Sequence, residues 1–216
     1  MIKAIIFDMN GVIIDDEHAH EMAFRDTVKE YKIDLTHDDY LACCAGKTDR
    51  RGYEDIAKKF QQDLPVDTLL DRKWKIYPQL FEKHKKAFEG VVELIRDLSQ
   101  KYTIALASSA SRDEVILITK EFDVEKYFSV MISANDVVNG KPHPEPYLKT
   151  AELLHVSPVS CAVIEDSPSG VRAAKSAGCY CIAITTTHTK EDLREADVIV
   201  GSFADIDDVL INKLGV

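Results

Sequence analysis

The residue types in this sequence that could do chemistry follow short apolar runs. The carboxylates of Asp8, Glu165 and Asp166 offer the oxygen ligands that Mg²⁺ prefers in proteins. The hydroxyl of Ser108 and the ammonium of Lys141 are groups that bind phosphate oxygens. Together these residue types predict a cation site beside a phosphate site.

Six short apolar runs predict the strands that must position these groups. The runs are nearly continuous rather than alternating, which is typical of strands buried on both faces. Helical patterns such as Val91, Ile95 and Leu98 separate them, and strands that alternate with helices indicate a parallel sheet. Ligands of such sheets bind outside the carboxyl ends of the strands. The predicted strands are residues 4–7, 103–107, 129–133, 161–164, 180–184 and 198–200.

The stretch between the first two predicted strands has no strand character. Two apolar stripes at helical spacing run through it. We therefore predict a helical domain of residues 16–88, inserted into a core domain of residues 1–15 and 89–216. The stripes are Phe24, Val28 and Tyr31, and then Leu70, Trp74, Tyr77 and Phe81.

The composition excludes several classes of protein. The 216 residues include 27 Lys and Arg against 37 Asp and Glu, a formal net charge of −10 at pH 7. Nucleic acids and anionic membranes attract clustered Lys and Arg, so we expect neither as a partner. No apolar run approaches the ~18 residues that a membrane span needs, and no secretory signal pattern is visible. Five cysteines do not make a disulfide framework in this length. We expect a monomeric cytoplasmic protein with buried, reduced thiols.

Four motifs stand in order along the chain: FDMNGVI at residues 7–13, ALASS at 105–109, GKPHPEPY at 140–147 and VIEDSPSG at 163–170. With these motifs the sequence resembles the haloacid dehalogenase (HAD) superfamily of aspartyl-phosphate phosphotransferases. The likeness is strongest to its β-phosphoglucomutase-like phosphatase branch and covers essentially the whole chain. It implies an α/β fold, a HAD-like Rossmannoid parallel sheet core with an inserted α-helical cap domain.

The resemblance also implies a role for each motif residue. It makes Asp8 the nucleophile that forms an aspartyl-phosphate, while Ser108 and Lys141 hold the transferring phosphoryl group and Ser109 adjoins them in substrate binding. Cations must offset the repulsion between a carboxylate and a phosphate dianion, which an ammonium and Mg²⁺ can do. The implied Mg²⁺ ligands are Asp8, the main-chain carbonyl of Asn10, and Asp166, with Glu165 assisting.

The sequence departs from the family pattern at Asn10. Members of this branch normally have a second Asp two residues after the nucleophile, which protonates the leaving oxygen and deprotonates the incoming water or hydroxyl. An amide cannot shuttle a proton at neutral pH, and general acid–base catalysis is typically worth ~10²–10⁴-fold. We therefore expect slow phosphoryl transfer from sugar phosphates, whose alkoxides leave badly.

Three explanations of Asn10 remain open. The residue is natural and belongs to a branch with restrained or unusual activity, or it is an engineered substitution, or another carboxylate replaces the missing Asp. Asp16 is the nearest candidate in sequence for that replacement. The alternative role for Asp16, as the N-cap of the first cap helix, is the more ordinary one because Asp is preferred there.

Residues of the cap domain choose the substrate in this branch. The resemblance places His20 near the active site, aligns Lys73 with a substrate-contacting lysine and puts Lys47 in the turn that resembles the specificity loop. However, Asp49 stands where the mutase has a phosphate-binding arginine, with Arg50 next along. A carboxylate repels a second phosphate unless Arg50 takes over. A phosphatase is therefore the first prediction and a mutase the second.

Ordinary interpretations compete with these cap assignments. His20 could be a helix-surface histidine, and Lys73 in the run Asp71-Arg72-Lys73 is more simply a solvated lysine. His18 and His20 do not predict a zinc pair because side chains two apart on a helix diverge.

Other functions were weighed against the same residues. A dehalogenase proper needs no metal, which the pair Glu165 and Asp166 argues against. A phosphonoacetaldehyde hydrolase also lacks the second Asp, but its Schiff-base lysine would have to be Lys47, whose position after Gly46 fits poorly. A pseudoenzyme would bind phosphate ligands without turnover. We predict a Mg²⁺-dependent HAD-type phosphatase for a small phosphorylated metabolite, a sugar phosphate, with impaired proton transfer at Asn10.

Overall fold

A computed structural model describes residues 1–214 and shows two compact units. The sheet unit comprises Met1–Ile14 and the chain from Ala87 onward, and the helical unit comprises Asp15–Lys86. Within the sheet unit, an isolated antiparallel bridge pairs Ile14 with Ala87, and the Phe88 N–H donates to the carbonyl of Ile13 at 3.1 Å. These bonds hold together the two points where the helical insertion leaves and rejoins the sheet unit.

Within residues 1–214, the sheet unit contains a parallel sheet with the strand order β3-β2-β1-β4-β5-β6. This sheet with its flanking helices confirms the predicted α/β class. The third strand begins and ends one residue earlier than predicted, and the fourth extends one residue further. The strands are β1 (Ala4–Phe7), β2 (Thr103–Ala107), β3 (Phe128–Ile132), β4 (Cys161–Glu165), β5 (Tyr180–Ile184) and β6 (Val198–Val200).

The helical unit is formed by four helices and one short 3₁₀ segment in the described part of the chain. Thr36 and Thr48 cap the second and third helices, where each side chain accepts a main-chain N–H of the first turn. An apolar cluster that includes Phe24, Val28 and Tyr53 forms its core. The elements are α1 (Glu17–Val28), the 3₁₀ helix Lys29–Tyr31, α2 (His37–Cys43), α3 (Asp49–Phe60) and α4 (Val66–His84).

Tyr77 and Phe81 of the predicted stripe on α4 are buried as predicted, but the N-terminal half of the helix differs from the prediction. Leu69, Lys73 and Tyr77 are buried, whereas Leu70 and Trp74 are only half-buried. Lys73 therefore occupies a position that the apolar pattern assigned to Trp74.

Helices and 3₁₀ turns connect the strands of the sheet unit. Ser111 caps α6 and Ser167 caps α8, each by accepting a main-chain N–H with its side-chain oxygen. The helices are α5 (Val91–Leu98), α6 (Arg112–Glu121), α7 (Glu145–Leu153), α8 (Pro168–Ser176) and α9 (Asp208–Leu214). The 3₁₀ turns are Glu125–Tyr127, Ala134–Asp136, Pro158–Ser160 and Phe203–Asp205.

The register of the central strands decides where the polar residues lie. Phe7 at the end of β1 is paired with Leu106 of β2 on one side and with Ile164 of β4 on the other. Since these strands are parallel and end at the same level, the residues that follow them share one edge of the sheet. All of β1 and β4 is buried, which is why their sequences are continuously apolar up to the edge.

The five cysteines at positions 43, 44, 161, 179 and 181 are all buried free thiols. No helix among residues 1–214 combines the length and the apolar character needed to cross a membrane.

Candidate active site

The candidate site lies at the carboxyl edge of three neighbouring strands, β2, β1 and β4. Asp8 follows β1, Ser108 follows β2, and Asp166 follows the last residue of β4, Glu165. Main-chain bonds continue the sheet by one residue here, since the Asp8 N–H donates to the Ile164 carbonyl at 3.0 Å. The main chain that carries Asp8 and Ser108 is therefore still hydrogen-bonded to the neighbouring strands, since the Ser108 N–H also donates to the Ile132 carbonyl at 2.9 Å.

Lys141 links two carboxylates of this edge. Its Nζ lies 2.6 Å from Asp8 Oδ1 and 2.7 Å from Glu165 Oε1. The side chains of Lys141, Asp8 and Glu165 are 3%, 11% and 0% exposed. A buried pair of this kind is held by hydrogen bonds as well as by charge. Lys141 thus fixes the position of the Asp8 carboxylate in the sheet unit.

Glu165 accepts hydrogen bonds on both of its oxygens. Oε1 accepts from Lys141 and from the Tyr147 hydroxyl at 2.9 Å. Oε2 accepts from the N–H groups of Asp166 and Ser167, both at 2.9 Å, and from the Ser167 hydroxyl at 3.0 Å. This arrangement suits a residue that orients Lys141 and the start of α8.

The pKa values of these groups reflect burial first and the neighbouring charges second. Burial and the charge of Glu165 raise the pKa of Asp8 to about 7, although Lys141 opposes the shift. Burial raises the pKa of Asp166 well above its usual value, and the carboxylates of Glu165 and Asp8 raise it further. Burial alone would lower the pKa of Lys141, but the charges of Asp8 and Glu165 outweigh it and raise the pKa.

The donor set of this cluster fits a divalent cation. One oxygen from each of Asp8, Glu165 and Asp166 lies within 4.8 Å of the other two. Among residues 1–214, these three carboxylates are paired directly with a single ammonium, that of Lys141. A divalent cation would balance the two remaining negative charges and lower the raised pKa values of Asp8 and Asp166. Carboxylate oxygens are also the ligands that Mg²⁺ prefers.

Asn10 connects Ser108 with a carboxylate that the sequence motifs do not contain. Its Nδ2 donates to Glu114 Oε1 at 3.2 Å, and its Oδ1 accepts from the Ser108 hydroxyl at 3.4 Å. The Ser108 oxygen in turn accepts the Ala110 N–H at 3.1 Å. Asn10 thus bridges the end of β1, the end of β2 and the first turn of α6.

Two glycines make room for the carboxylates. A Cβ on Gly11 would lie 2.1 Å from Asp166 Oδ2, and a Cβ on Gly170 would lie 1.6 Å from Glu165 Oε1. Gly11 also has a φ of +80°, a conformation that other residues rarely adopt. The motifs that contain these glycines are therefore constrained by the close approach of the acidic side chains.

The helical unit contains a hydrogen-bonded polar network, to which two of the predicted substrate-binding residues, His20 and Lys73, belong. Lys73 Nζ donates to Asp49 Oδ1 at 2.6 Å and to His20 Nδ1 at 2.8 Å. His20 Nε2 lies 3.2 Å from Asp16 Oδ2, which accepts from the Tyr77 hydroxyl at 2.5 Å. Because an ammonium only donates, His20 accepts at Nδ1 and carries its proton at Nε2.

This polar network corrects the ordinary interpretations of three residues. Lys73 is not a solvated lysine, because its side chain is 2% exposed and its Nζ lies 4.7 Å from the centre of the Phe24 ring. His20 is half-buried rather than on the helix surface. Asp16 stands at the N-cap position of α1, but its side chain makes no capping bond and instead binds His20 and Tyr77.

The other predicted substrate-binding residues have different surroundings. Lys47 is exposed and donates to Asp55 and to the Ala42 carbonyl, both at 2.8 Å. Arg50 is exposed and pairs with Asp67 at 2.6 Å, so it is not part of the polar network around Lys73. Ser109 is half-buried beside Ser108 in the sheet unit.

Sequence reasoning missed three residues that contact the site. Tyr147 is the last residue of the GKPHPEPY motif, so its position could have been considered. Glu114 stands 104 residues from Asn10, and Thr187 donates to Asp166 from the segment after β5. The only signal for Glu114 is the pattern Ser111-x-x-Glu114, which predicts a capping box and not a contact with Asn10.

A family model described as haloacid dehalogenase-like hydrolase matches residues 5–184. The chain belongs to the haloacid dehalogenase-like hydrolase family. This confirms the superfamily that the four motifs predict, and the similar proteins below, together with the family model, confirm its β-phosphoglucomutase-like phosphatase branch.

Similar proteins illustrate what this hydrolase family contains. A phosphorylated carbohydrates phosphatase of Thermotoga maritima is 35% identical over 178 residues, which is 82% of each chain. A validoxylamine A 7′-phosphate phosphatase of Streptomyces hygroscopicus subsp. limoneus is 30% identical over 208 residues, 95% of this chain and 96% of that one. The crystal structure of β-phosphoglucomutase from Clostridium difficile has a TM-score of 0.87 and 25% identity, and the match covers 100% and 97% of the two chains.

Proposed function

We propose that this protein is a Mg²⁺-dependent phosphatase of small phosphorylated carbohydrates, with Asp8 as the nucleophile. The observation that carries the proposal is the pairing of Asp8 with Lys141 at 2.6 Å, at a sheet edge that also carries Glu165 and Asp166 at the end of the neighbouring strand. A carboxylate can attack a phosphate dianion only where cations offset the charge. The ammonium of Lys141 is hydrogen-bonded to the same carboxylate that would attack the phosphorus.

The reaction has two displacements at phosphorus. In the first, an oxygen of Asp8 forms a bond to phosphorus, the bond from phosphorus to the substrate oxygen breaks, and the leaving oxygen takes a proton from solvent water to give the alcohol. In the second, a water oxygen attacks phosphorus and loses a proton to solvent, the bond to the Asp8 oxygen breaks, and inorganic phosphate leaves. Lys141 and the Ser108 hydroxyl bind the oxygens of the transferring group throughout.

Asp8, Asp166 and the main-chain carbonyl of Asn10 would hold the Mg²⁺ ion. When bound, the ion supplies positive charge that stabilises the phosphoryl oxygens in the transition state. Glu165 stabilises the positions of the residues around this site. Its oxygens already accept hydrogen bonds from Lys141, Tyr147, Ser167 and the Asp166 N–H. It orients Lys141 rather than replacing the other ligands.

Asn10 limits the proton transfer in both displacements. Its carboxamide occupies the position at which this branch has a general acid–base Asp, and it donates to Glu114 rather than to a substrate oxygen. Acyl and aryl phosphates, whose leaving groups need no proton, are therefore better substrates than sugar phosphates in the first step. The aspartyl-phosphate accumulates because its hydrolysis also lacks a base.

A β-phosphoglucomutase-type activity is the second candidate, and one observation weighs against it. A mutase must bind a second phosphate with cationic side chains. Lys73, which aligns with a substrate-contacting lysine of the mutase, is a buried cation of the helical unit. In this chain the Lys73 charge is matched by Asp49 at 2.6 Å. The phosphatase names of two similar proteins also support hydrolysis. A pseudoenzyme that keeps the site without turnover is the third candidate.

The test is phosphate release from sugar, acyl and aryl phosphates with Mg²⁺ by the parent, Asp8→Asn, Asn10→Asp and Asp113→Asn. We expect slow release by the parent, loss in Asp8→Asn and no change in the exposed Asp113→Asn control. Mass spectrometry after an acid quench should find one phosphoryl group on Asp8. Equal activity of Asp8→Asn and the parent would overturn the proposal, and ligand binding without release would indicate the pseudoenzyme.

A further inference from the structure

We infer that Glu114 is a positioning residue that fixes the carboxamide of Asn10 and, through it, the hydroxyl of Ser108. The inference deepens the proposed function and rests on it for the role of Ser108. Two hydrogen bonds carry it. Asn10 Nδ2 donates to Glu114 Oε1 at 3.2 Å, and Ser108 Oγ donates to Asn10 Oδ1 at 3.4 Å.

Glu114 is held firmly by its own helix. It is the third residue of α6, and its N–H donates to the N-cap hydroxyl of Ser111 at 3.3 Å. Its side chain is directed to Asn10, and the residue is 2% exposed. A buried carboxylate needs hydrogen-bond donors, and the Asn10 Nδ2 provides one.

The contact determines which way the Asn10 carboxamide faces. A carboxylate only accepts, so the nitrogen of the amide faces Glu114 and the oxygen faces Ser108. The Ser108 oxygen accepts from the Ala110 N–H, so its single proton is available for Asn10 Oδ1. Glu114 therefore fixes, through Asn10, the acceptor of the Ser108 proton in the free protein, and a phosphoryl oxygen replaces Asn10 Oδ1 as that acceptor when it binds.

The same contact makes Asn the residue that complements Glu114 at position 10. An Asp there has no N–H to donate and would place two carboxylate oxygens at the present 3.2 Å separation. Like charges at such a distance destabilise each other. Asn10 and Glu114 thus form a matched pair, in which changing one residue alters what the other position requires.

A double-mutant cycle tests this pairing. The variants are Asn10→Asp, Glu114→Gln and the two combined, with the exposed neighbour Asp113→Asn as a matched control. The first measurement is Tm without metal. Asn10→Asp should lower Tm by about 3 °C or more, which is the scale of a lost buried contact in a chain of this size. Glu114→Gln should restore most of that loss when it is combined with Asn10→Asp, because Gln donates to the new carboxylate, but should change little in the parent.

The second measurement is steady-state phosphate release. Glu114→Leu should change KM about tenfold with a smaller effect on kcat, because the acceptor of the Ser108 proton is no longer fixed, while Glu114→Gln should stay within about twofold because Gln still accepts from Asn10. Asn10→Asp alone should recover only part of the ~10²–10⁴-fold of general acid–base catalysis. The combined variant should exceed it by about tenfold.

The outcomes separate this inference from the proposed function. Additive effects of the two substitutions on Tm and on activity, in a protein that releases phosphate, would overturn the pairing and leave the phosphatase intact. Coupled Tm values with no phosphate release by any variant would support the pairing and overturn the phosphatase. Equal KM values for Glu114→Leu, Glu114→Gln and the parent would show that Glu114 does not position Ser108.

Discussion

Gly170 lies so close to Glu165 that a Cβ on the glycine would sit 1.6 Å from the Oε1 atom. Gly170 is in the first turn of α8, and its N–H donates to the N-cap hydroxyl of Ser167 at 3.1 Å. Ser167 is also a donor to Glu165. The absence of a side chain at residue 170 is thus part of how the helix accommodates a buried carboxylate.

We expect Gly170→Ala to lower the free energy of unfolding by about 2–4 kcal/mol, although Ala is the better helix former. The reason is that Glu165 must move and its bond to Lys141 must lengthen. Denaturant unfolding measures the change. Gly201→Ala is the matched control, because a Cβ there meets no atom within 4 Å. Equal stability of the Gly170 and Gly201 variants would contradict the prediction.

Lys141→Met should cost about 3–5 kcal/mol of unfolding free energy and abolish phosphate release. It leaves Asp8 and Glu165 buried without the ammonium that pairs with both. Lys126→Met removes an exposed pair with Asp123 and should change stability little. Urea unfolding of the two variants compares these pairs, and a Lys141 variant as stable as the Lys126 variant would show that the buried pair is not stabilising.

The Tm of the metal-free protein should fall as the pH rises from about 5 to 8. Asp8 has a pKa of about 7 in the folded state and near 3.8 when unfolded. A raised pKa contributes stability in full below 3.8 and loses it as the pH rises through 7. Asp8→Asn should flatten this dependence in thermal unfolding with chelator present. An unchanged slope in that variant would mean that Asp8 titrates normally.

Mg²⁺ should raise Tm at pH 8, and more than it does at pH 5, where protons already neutralise the cluster. Ligands that bind only the folded state stabilise it by mass action. Asp166→Asn should remove most of the increase, whereas the exposed Asp113→Asn should leave it in place. A Tm increase of the same size in both variants would place the ion elsewhere.

We expect Lys73 to contact the substrate, so Lys73→Met should raise KM for sugar phosphates by about tenfold, with kcat changed less. Its Nζ also pairs with Asp49 in the helical unit, so the variant loses some stability as well. Asp49→Asn is the matched comparison, because it releases Lys73 from its partner and should lower KM. A change in stability with no change in KM in either variant would make the pair purely structural.

The fold followed from the sequence because its signals are local. Continuous apolar runs are typical of strands buried on both faces, and the observed strands differ from the predicted ones by one residue at β3 and β4. The burial of Lys73 on α4 was not predicted, because the pattern treated Trp74 as core and Lys73 as surface. The contacts of the Lys73 ammonium with Asp49, His20 and the Phe24 ring offset its burial.

The candidate site was predictable only where the strand ends carry it. Asp8, Ser108, Glu165 and Asp166 follow strands that topology places side by side, so their proximity could be inferred before any distance was known. Glu114 could not be found this way. Its contact spans 104 residues, and its local pattern with Ser111 predicts a helix cap, which competes with the contact to Asn10.

A chain selected for stability alone would not place Asp8, Glu165 and Asp166 in the interior beside one ammonium. Amides of the same shape would satisfy many of the same neighbours with less electrostatic repulsion. At this strand edge, the residue types that would stabilise the fold best therefore differ from the residue types that the proposed chemistry needs. Replacing Asp8 or Asp166 by its amide should therefore raise the stability of the metal-free protein, and the proposed chemistry would account for carboxylates at these positions.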